Sequence, residues 1–197
     1  DTVSFTLTVT AVNDAPVASA VSATTDEDVA VAIAYAGTDI DDDTLTYVVI
    51  TDPTNGSISD GVYTPSADFN GADSFTYLAT DGTANSGPAT VSITINAVND
   101  NPVAVDDNAT LEEDGSISGN VVNNDSDPDA TNGDANPPEH YTLSVSLVDS
   151  VSHGTLTFNE DGSWGDYVPD ENWNGIDNFT YALNDGASGS DTATVTL

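Results

Sequence analysis

The sequence has no lysine and no arginine, against 34 aspartates and glutamates, for a formal net charge of −34 at pH 7. A chain of this length ordinarily carries roughly two dozen basic residues. Without any, it cannot neutralise phosphates, which excludes nucleic acid as a direct partner, and anionic membrane surfaces are disfavoured for the same reason. Cysteine is also absent, so no disulfide holds the fold. No apolar run is long enough to span a bilayer, and no segment has the form of a signal peptide. Lacking Cys and Lys, and with neither His140 nor His153 in a Ser–His–Asp setting, the chain reads as a non-enzyme.

What is present is acid, chiefly aspartate: only six of the acidic residues are glutamate. Aspartate favours turns and metal loops over helices. Self-repulsion on this scale opposes compaction, so a counter-charge is required, and divalent cations are the plain candidate. High charge with few aromatics is also the signature of disorder. Regularly spaced apolar strands argue against that here.

Self-comparison gives the organisation. Val12-Asn13-Asp14-Ala15-Pro16-Val17-Ala18 returns 86 residues later as Val98-Asn99-Asp100-Asn101-Pro102-Val103-Ala104. Pro65 to Ile93 matches Pro169 to Leu197, pairing Phe75-Thr76-Tyr77 with Phe179-Thr180-Tyr181 and Asp81-Gly82 with Asp185-Gly186. The expected division is a terminal strand and linker over 1–13, one repeat over 14–99 and a second over 100–197. The second is lengthened by insertions at Ala130 to His140 and around Asn159-Glu160-Asp161-Gly162. Residues 1–12 read as the last strand of a preceding repeat, and Leu197 falls within the corresponding strand of the second. The chain thus reads as an excerpt from an array.

Each repeat shows about seven short strands, in the first near 17–24, 29–35, 44–51, 56–59, 61–64, 73–80 and 89–96. Their alternating apolar residues and the Asp-Gly and Asn-Gly pairs at 55–56, 60–61, 70–71 and 81–82 predict antiparallel strands joined by turns. The fold class is all-β: tandem seven-stranded Greek-key β-sandwiches of Ig-like or cadherin-like form. Trp164 and Trp173 are expected in the core.

Three groups of residues resemble a known family. Phe75 to Gly82, Ala89 to Ile95 and Asn99-Asp100-Asn101-Pro102 are similar to the last two strands and linker of a cadherin repeat. Asp39-Ile40-Asp41 and Asp125-Ser126-Asp127 resemble its Asp-x-Asp element. The linkers, with Gly154 to Phe158, are most similar to tandem repeats of giant, type I secreted (RTX-type) bacterial adhesins. That resemblance implies an extracellular or cell-surface location, on a Gram-negative bacterium of marine or saline habitat.

Calcium takes six to eight hard oxygen ligands. Strand order places Asp39, Asp41 and Asp81 at the upper end of the first repeat, beside Asn13 and Asp14. Asp125, Asp127 and Asp185 cap the second, beside Asn99, Asp100 and Asn101. Glu27 and Asp68, at the lower end of the first repeat, are expected to complete the second cluster. The cadherin resemblance selects the same positions. It also implies fewer ions than in animal cadherins, because Ala11 and Ala97 stand where the cadherin linker has another aspartate. Asp73 and Asp177 read instead as hydrogen-bond acceptors for an Asn-Gly loop.

The leading functional expectation is a Ca2+-stiffened extender whose partners are neighbouring repeats of its own chain. Two others stand beside it. One is a fibre subunit whose unpaired strand 1–12 pairs with an identical molecule. The other is a carbohydrate-binding module, for which glycans would require an exposed aromatic platform that the sequence does not display.

Overall fold

A computed structural model describes residues 3–131 and 143–197, divided into two compact units, Asp1–Asn96 and Ala97–Leu197. The insertion expected at Ala130 to His140 lies outside the described residues from Asn132 onward, as does His140.

The first unit comprises β1 (Val17–Ser19), β2 (Val21–Asp26), β3 (Val31–Ala32), β4 (Ala36–Thr38), β5 (Thr46–Thr51), β6 (Gly56–Ser59), β7 (Val62–Pro65), β8 (Gly71–Thr80) and β9 (Ala89–Asn96). The expected strand 17–24 is interrupted at Ala20, where the chain changes pairing partner, and of the expected 29–35 only Val31–Ala32 is strand, with β4 beginning just beyond it. β1 pairs with β4, whereas β2 joins the sheet β2-β9-β8-β5 and β3 joins β3-β7-β6. Not all pairing is antiparallel: β2 runs parallel to β9, from Val21 opposite Val91 to Asp26 opposite Asn96. The first and last strands can be parallel neighbours because the chain enters the sandwich at one end and leaves at the other. No strand forms over residues 3–12, where Val3, Phe5, Leu7 and Val9 are 82–90% exposed.

Period-two alternation decides which side chains are buried. Phe75, Tyr77 and Ala79 of β8, and Val91, Ile93 and Ile95 of β9, face Tyr63 and Ile33 in the core. Tyr35 stacks on Tyr47 at a ring distance of 5.4 Å and tilts against Tyr77 at 4.7 Å.

The second unit comprises β10 (Asp107–Asn108), β11 (Ile117–Asn120), β12 (Ser144–Asp149), β13 (Gly154–Phe158), β14 (Ser163–Pro169), β15 (Asn178–Asn184) and β16 (Ser190–Thr196). They form the sheets β10-β16-β15-β12 and β11-β14-β13. One turn of 3-10 helix at Val121–Asn123 and a short α1 (Pro128–Thr131) are the helical pieces among the described residues. Phe179, Tyr181, Leu183 and Val195 fill the core with Trp164, which meets Phe179 edge-on at 5.6 Å. Trp173 departs from expectation: it is half-buried and stacks on His153 at 4.7 Å, outside the buried cluster.

Asp60-Gly61 forms the two-residue turn between β6 and β7, both residues having positive φ (49° and 76°), as a type I′ hairpin requires. The neighbouring Asn55-Gly56 pair is no turn. Gly56 opens β6, and a Cβ there would lie 2.6 Å from both the Tyr63 hydroxyl and the Thr64 carbonyl. Gly154 is in the same position, with Val168 O at 2.4 Å from a Cβ and Tyr167 Cε2 at 2.9 Å. Glycine is needed here for close approach, so Gly56→Ala and Gly154→Ala are each expected to cost about 1–3 kcal/mol through overpacking. Urea unfolding measures this, and an unchanged midpoint would contradict it.

Beside each of these glycines a buried carboxylate gathers the loop. Asp73 accepts from Thr54 N (3.0 Å), Asn55 N (2.9 Å), Ser74 N (2.8 Å) and the Tyr63 hydroxyl (2.8 Å). Asp177 accepts from Ser152 N, His153 N and Asn178 N, each at 2.9 Å, and from the Tyr167 hydroxyl at 3.2 Å. Burial alone would raise both carboxyls, but these donors outweigh it and hold them below the usual range. The Tyr167 phenol is correspondingly pushed up to about 12, first by burial and then by the Asp177 charge and hydrogen bond.

Candidate metal centre

At the end of the first unit where β8 finishes, two acidic loops meet the incoming linker. Asn13 Nδ2 donates to Asp81 Oδ2 at 3.0 Å. The backbone N–H of Asp14 donates to Asp41 Oδ2 at 2.9 Å, and that of Asp41 to Asp39 Oδ1 at 2.8 Å. Asp39, Asp41 and Asp43 each bring one carboxylate oxygen within 4.8 Å of the others. Between the last two, Asp42 takes a left-handed φ of 60°. Asp39 Oδ2 is buried without a hydrogen bond. Hydrogen bonds from Ala84 N, the Asn13 amide and Thr83 N hold the Asp81 carboxyl below its ordinary range.

The second unit repeats the pattern. Asn99 Nδ2 donates to Asp185 Oδ2 at 2.8 Å, Asp100 N to Asp129 Oδ2 at 2.9 Å, and Asp129 N to Asp127 Oδ1 at 3.0 Å. Asp127 and Asp185 are 2% and 1% exposed. Both Asp127 Oδ2 and Asn99 Oδ1 are buried with no hydrogen-bond partner. Burial first, then the charges of Asp129 and Asp185, pushes the Asp127 carboxyl up. Burial would raise Asp185 too, but the Asn99 amide and the N–H groups of Ala187 and Gly189 outweigh it and keep its carboxyl low. Gly189 is required by this approach, since a Cβ there would lie 2.2 Å from Asp185 Oδ2 and 2.9 Å from Asn101 Oδ1.

The match between the two units corrects one sequence assignment. The residues standing where Asp39 and Asp41 stand are Asp127 and Asp129, not Asp125 and Asp127. Two additional residues lie between the linker and this loop in the second unit, and Asp125-Ser126-Asp127-Pro128-Asp129 contains two overlapping Asp-x-Asp pairs. A constant offset of 86 therefore lands on the wrong one. The bridge of Val103 to Ser126, matching Val17 opposite Thr38, gives the true offset. Asp125 instead braces the sandwich, accepting from Val105 N at 2.8 Å and from the Tyr181 hydroxyl at 3.0 Å. In the first unit the equivalent Tyr77 hydroxyl donates to the Ala36 carbonyl at 2.8 Å.

Asp129 and Asp43 lie in these clusters and were not among the candidates named from the sequence. Aligning the paired strands, not the linkers, would have found the first. Asn101 is exposed beside Gly189. Glu27 and Asp68 lie at the opposite end of the first unit. Glu27 N donates to Asn96 O at 3.0 Å and Asp68 N to Asp28 Oδ1 at 3.2 Å.

The donor set at both loop clusters is wholly oxygen: carboxylates, side-chain amides and nearby backbone carbonyls. Such sets suit calcium or magnesium and not the softer metals. The buried oxygens of Asp39, Asp127 and Asn99 that lack a partner fit a cation. Like charges about 4 Å apart repel by about 4 kcal/mol at an effective dielectric near 20, and a divalent ion reverses that sign.

Among the described residues no helix is long and apolar enough to cross a membrane. Solved structures with the same fold include human CDH23 EC21-23, 18% identical with a TM-score of 0.54 over 93% of this chain and 64% of that one. Human mucin-like protocadherin EC1-2 is 14% identical with a TM-score of 0.52, over 92% of this chain and 96% of that one. The chain spans only 28% of the endo-fucoidan hydrolase MfFcnA4 from glycoside hydrolase family 107, at 17% identity and a TM-score of 0.39. No curated protein sequence matches it. Residues 13–94 and again 99–197 match the family described as Bacterial Ig domain, and the chain belongs to that family.

Proposed function

We propose that this chain is a calcium-dependent spacer, a stretch of extracellular repeats from a bacterial surface adhesin that holds a distant ligand-binding domain away from the cell. One observation carries the reading. In each unit the incoming linker is hydrogen-bonded to two acidic loops in the same way, and a carboxylate oxygen, Asp39 Oδ2 or Asp127 Oδ2, is left buried without a hydrogen bond. With no lysine or arginine in the sequence, the counter-charge for these loops comes from outside the chain. Calcium bound there ties the linker to the sandwich that follows it. In its absence, carboxylate repulsion loosens that attachment and the linker becomes a hinge. Sites in extracellular modules bind at about 10⁻⁴–10⁻³ M, so they fill outside the cell. The test is thermal unfolding of the full chain in calcium and then in chelator. A higher melting temperature in calcium is expected, and identical curves would overturn the reading.

A further inference from the structure

The outer edge of β5 has no partner. β5 closes the sheet β2-β9-β8-β5, and among the described residues it is bonded on one side only, to β8. Thr46 to Val49 run in regular register opposite Thr80 to Tyr77, and the register shift comes after them, between Val49 and Thr51. Proteins ordinarily guard such an edge with lysine, proline or an inward-pointing charge. Thr46-Tyr47-Val48-Val49-Ile50-Thr51 has none of these, and its β-branched residues favour an extended backbone. Val48 and Ile50 are 50% and 49% exposed.

Beside this edge runs a groove whose walls include Ile33, Tyr35, Tyr47, Val49 and Val62. The stacked Tyr35–Tyr47 pair forms its aromatic side, and Tyr47 also borders the pocket that contains Asp42. Exposed acids stand at both ends of the strand, Asp42 before it and Asp52 directly after it, with Asp60 in the groove's own lining. The matching groove of the second unit is lined by Leu147, Leu156 and Phe158, with no stacked tyrosine pair among the described residues.

We propose that the edge of β5 docks an extended segment of another protein, one with an uncharged β-forming centre and a lysine or arginine at each end. The centre matches β5 in length, six residues. Main-chain hydrogen bonds to the free edge hold any extended backbone, and alternate side chains of the added strand enter the groove. The flanking cations select the partner. They meet Asp42 and Asp52 in either strand direction, and the one near Tyr47 gains a cation–π contact. A second copy of this chain is disfavoured there, since it has no lysine or arginine and brings its own acids against like charge. The inference does not depend on calcium.

The probe is a synthetic peptide with an alternating Thr-Val hexamer between two lysines. It is titrated into the full chain in about 10 mM calcium, above the range of extracellular sites, so that any calcium held by the loops is in place. Amide NMR signals of Thr46 to Thr51 are expected to shift, while those of β2, at the far edge of the same sheet, stay in place. The same hexamer between two glutamates should bind at least about tenfold more weakly. A peptide with its two central residues replaced by proline should not bind, because it cannot complete the ladder. Val48→Lys puts a cation on the docking strand and should abolish binding, and Asp52→Asn should weaken it by about threefold. The amide spectrum of each variant confirms that it remains folded. Equal binding of the lysine and glutamate peptides, shifts confined to the acidic loops, unchanged binding by Val48→Lys, or no shift at about 1 mM peptide would each overturn the proposal. So would shifts of the β5 amides that follow protein concentration with no peptide present, which would give the edge to a second copy.

Discussion

Asp73→Ala is expected to lower the stability of the first unit by roughly 3–5 kcal/mol, and Asp177→Ala to do the same in the second. In each case several donors converge on one buried carboxylate: Thr54 N, Asn55 N, Ser74 N and the Tyr63 hydroxyl on Asp73, with their counterparts on Asp177. Losing the acceptor strands them at about 1–3 kcal/mol for each that stays dry. Units of about a hundred residues shift in melting temperature by about 4–8 °C per kcal/mol, so a fall of roughly 12–40 °C should be seen by calorimetry. Asn at either position is expected to be nearly as harmful, because its NH2 group faces N–H donors. Tyr63→Phe, which removes one donor, should cost only about 1–2 kcal/mol. A shift below about 1 kcal/mol for Asp73→Ala would show that the loop rehydrates without difficulty. The pH dependence has a defined sign. The carboxyl is held below its unfolded value, so its contribution is fully present above that value, near pH 4, and is lost as pH falls through the folded value. Acid unfolding is therefore expected below about pH 4, and it should move to higher pH in Asp73→Asn.

Calcium is expected to raise the melting temperature of the full chain by about 10–20 °C. An ion that binds only the folded state stabilises it by about 2.7 kcal/mol at a hundred times its dissociation constant. About 10 mM calcium against a site of about 10⁻⁴ M meets that condition. The effect should be carried by the loop carboxylates: Asp81→Asn and Asp185→Asn should each remove the calcium increment of their own unit, and Asp185→Asn should also lower the chelated melting temperature, because its buried carboxylate accepts from the Asn99 amide, Ala187 N and Gly189 N. Magnesium at equal concentration should do little, since it dehydrates reluctantly and demands a regular octahedron. An equal shift with magnesium or with sodium at matched ionic strength would mean general screening of the net charge, and no site.

Much of this was legible because repetition wrote it twice. The alternation in Phe75-Thr76-Tyr77 and Phe179-Thr180-Tyr181 placed the core strands, and the Asn-Asp linkers marked where each sandwich begins. Asp60-Gly61 declared its turn by residue type. Positions that depend on approach between distant segments were not readable this way. Asn55-Gly56 has the composition of a turn, yet Gly56 is glycine because the Tyr63 hydroxyl sits against it. Asp125 and Asp129 are chemically identical in sequence. Only the pairing of Val103 with Ser126 reveals that Asp129 faces the linker amide of Asp100 and Asp125 the Tyr181 hydroxyl. The break at Ala20 was hidden because one strand changing sheets midway keeps its alternation. Trp173 was assigned to the core by its match to Phe69, but the wider indole instead lies flat on His153.

The parallel neighbours β2 and β9 bear on how such a module withstands tension. A chain pulled from both ends draws Val21 and Asn96 in opposite directions. The backbone hydrogen bonds from Val21–Val91 to Asp26–Asn96 then lie across the load. They must rupture together in shear, whereas an antiparallel hairpin pulled from its open end unzips one bond at a time.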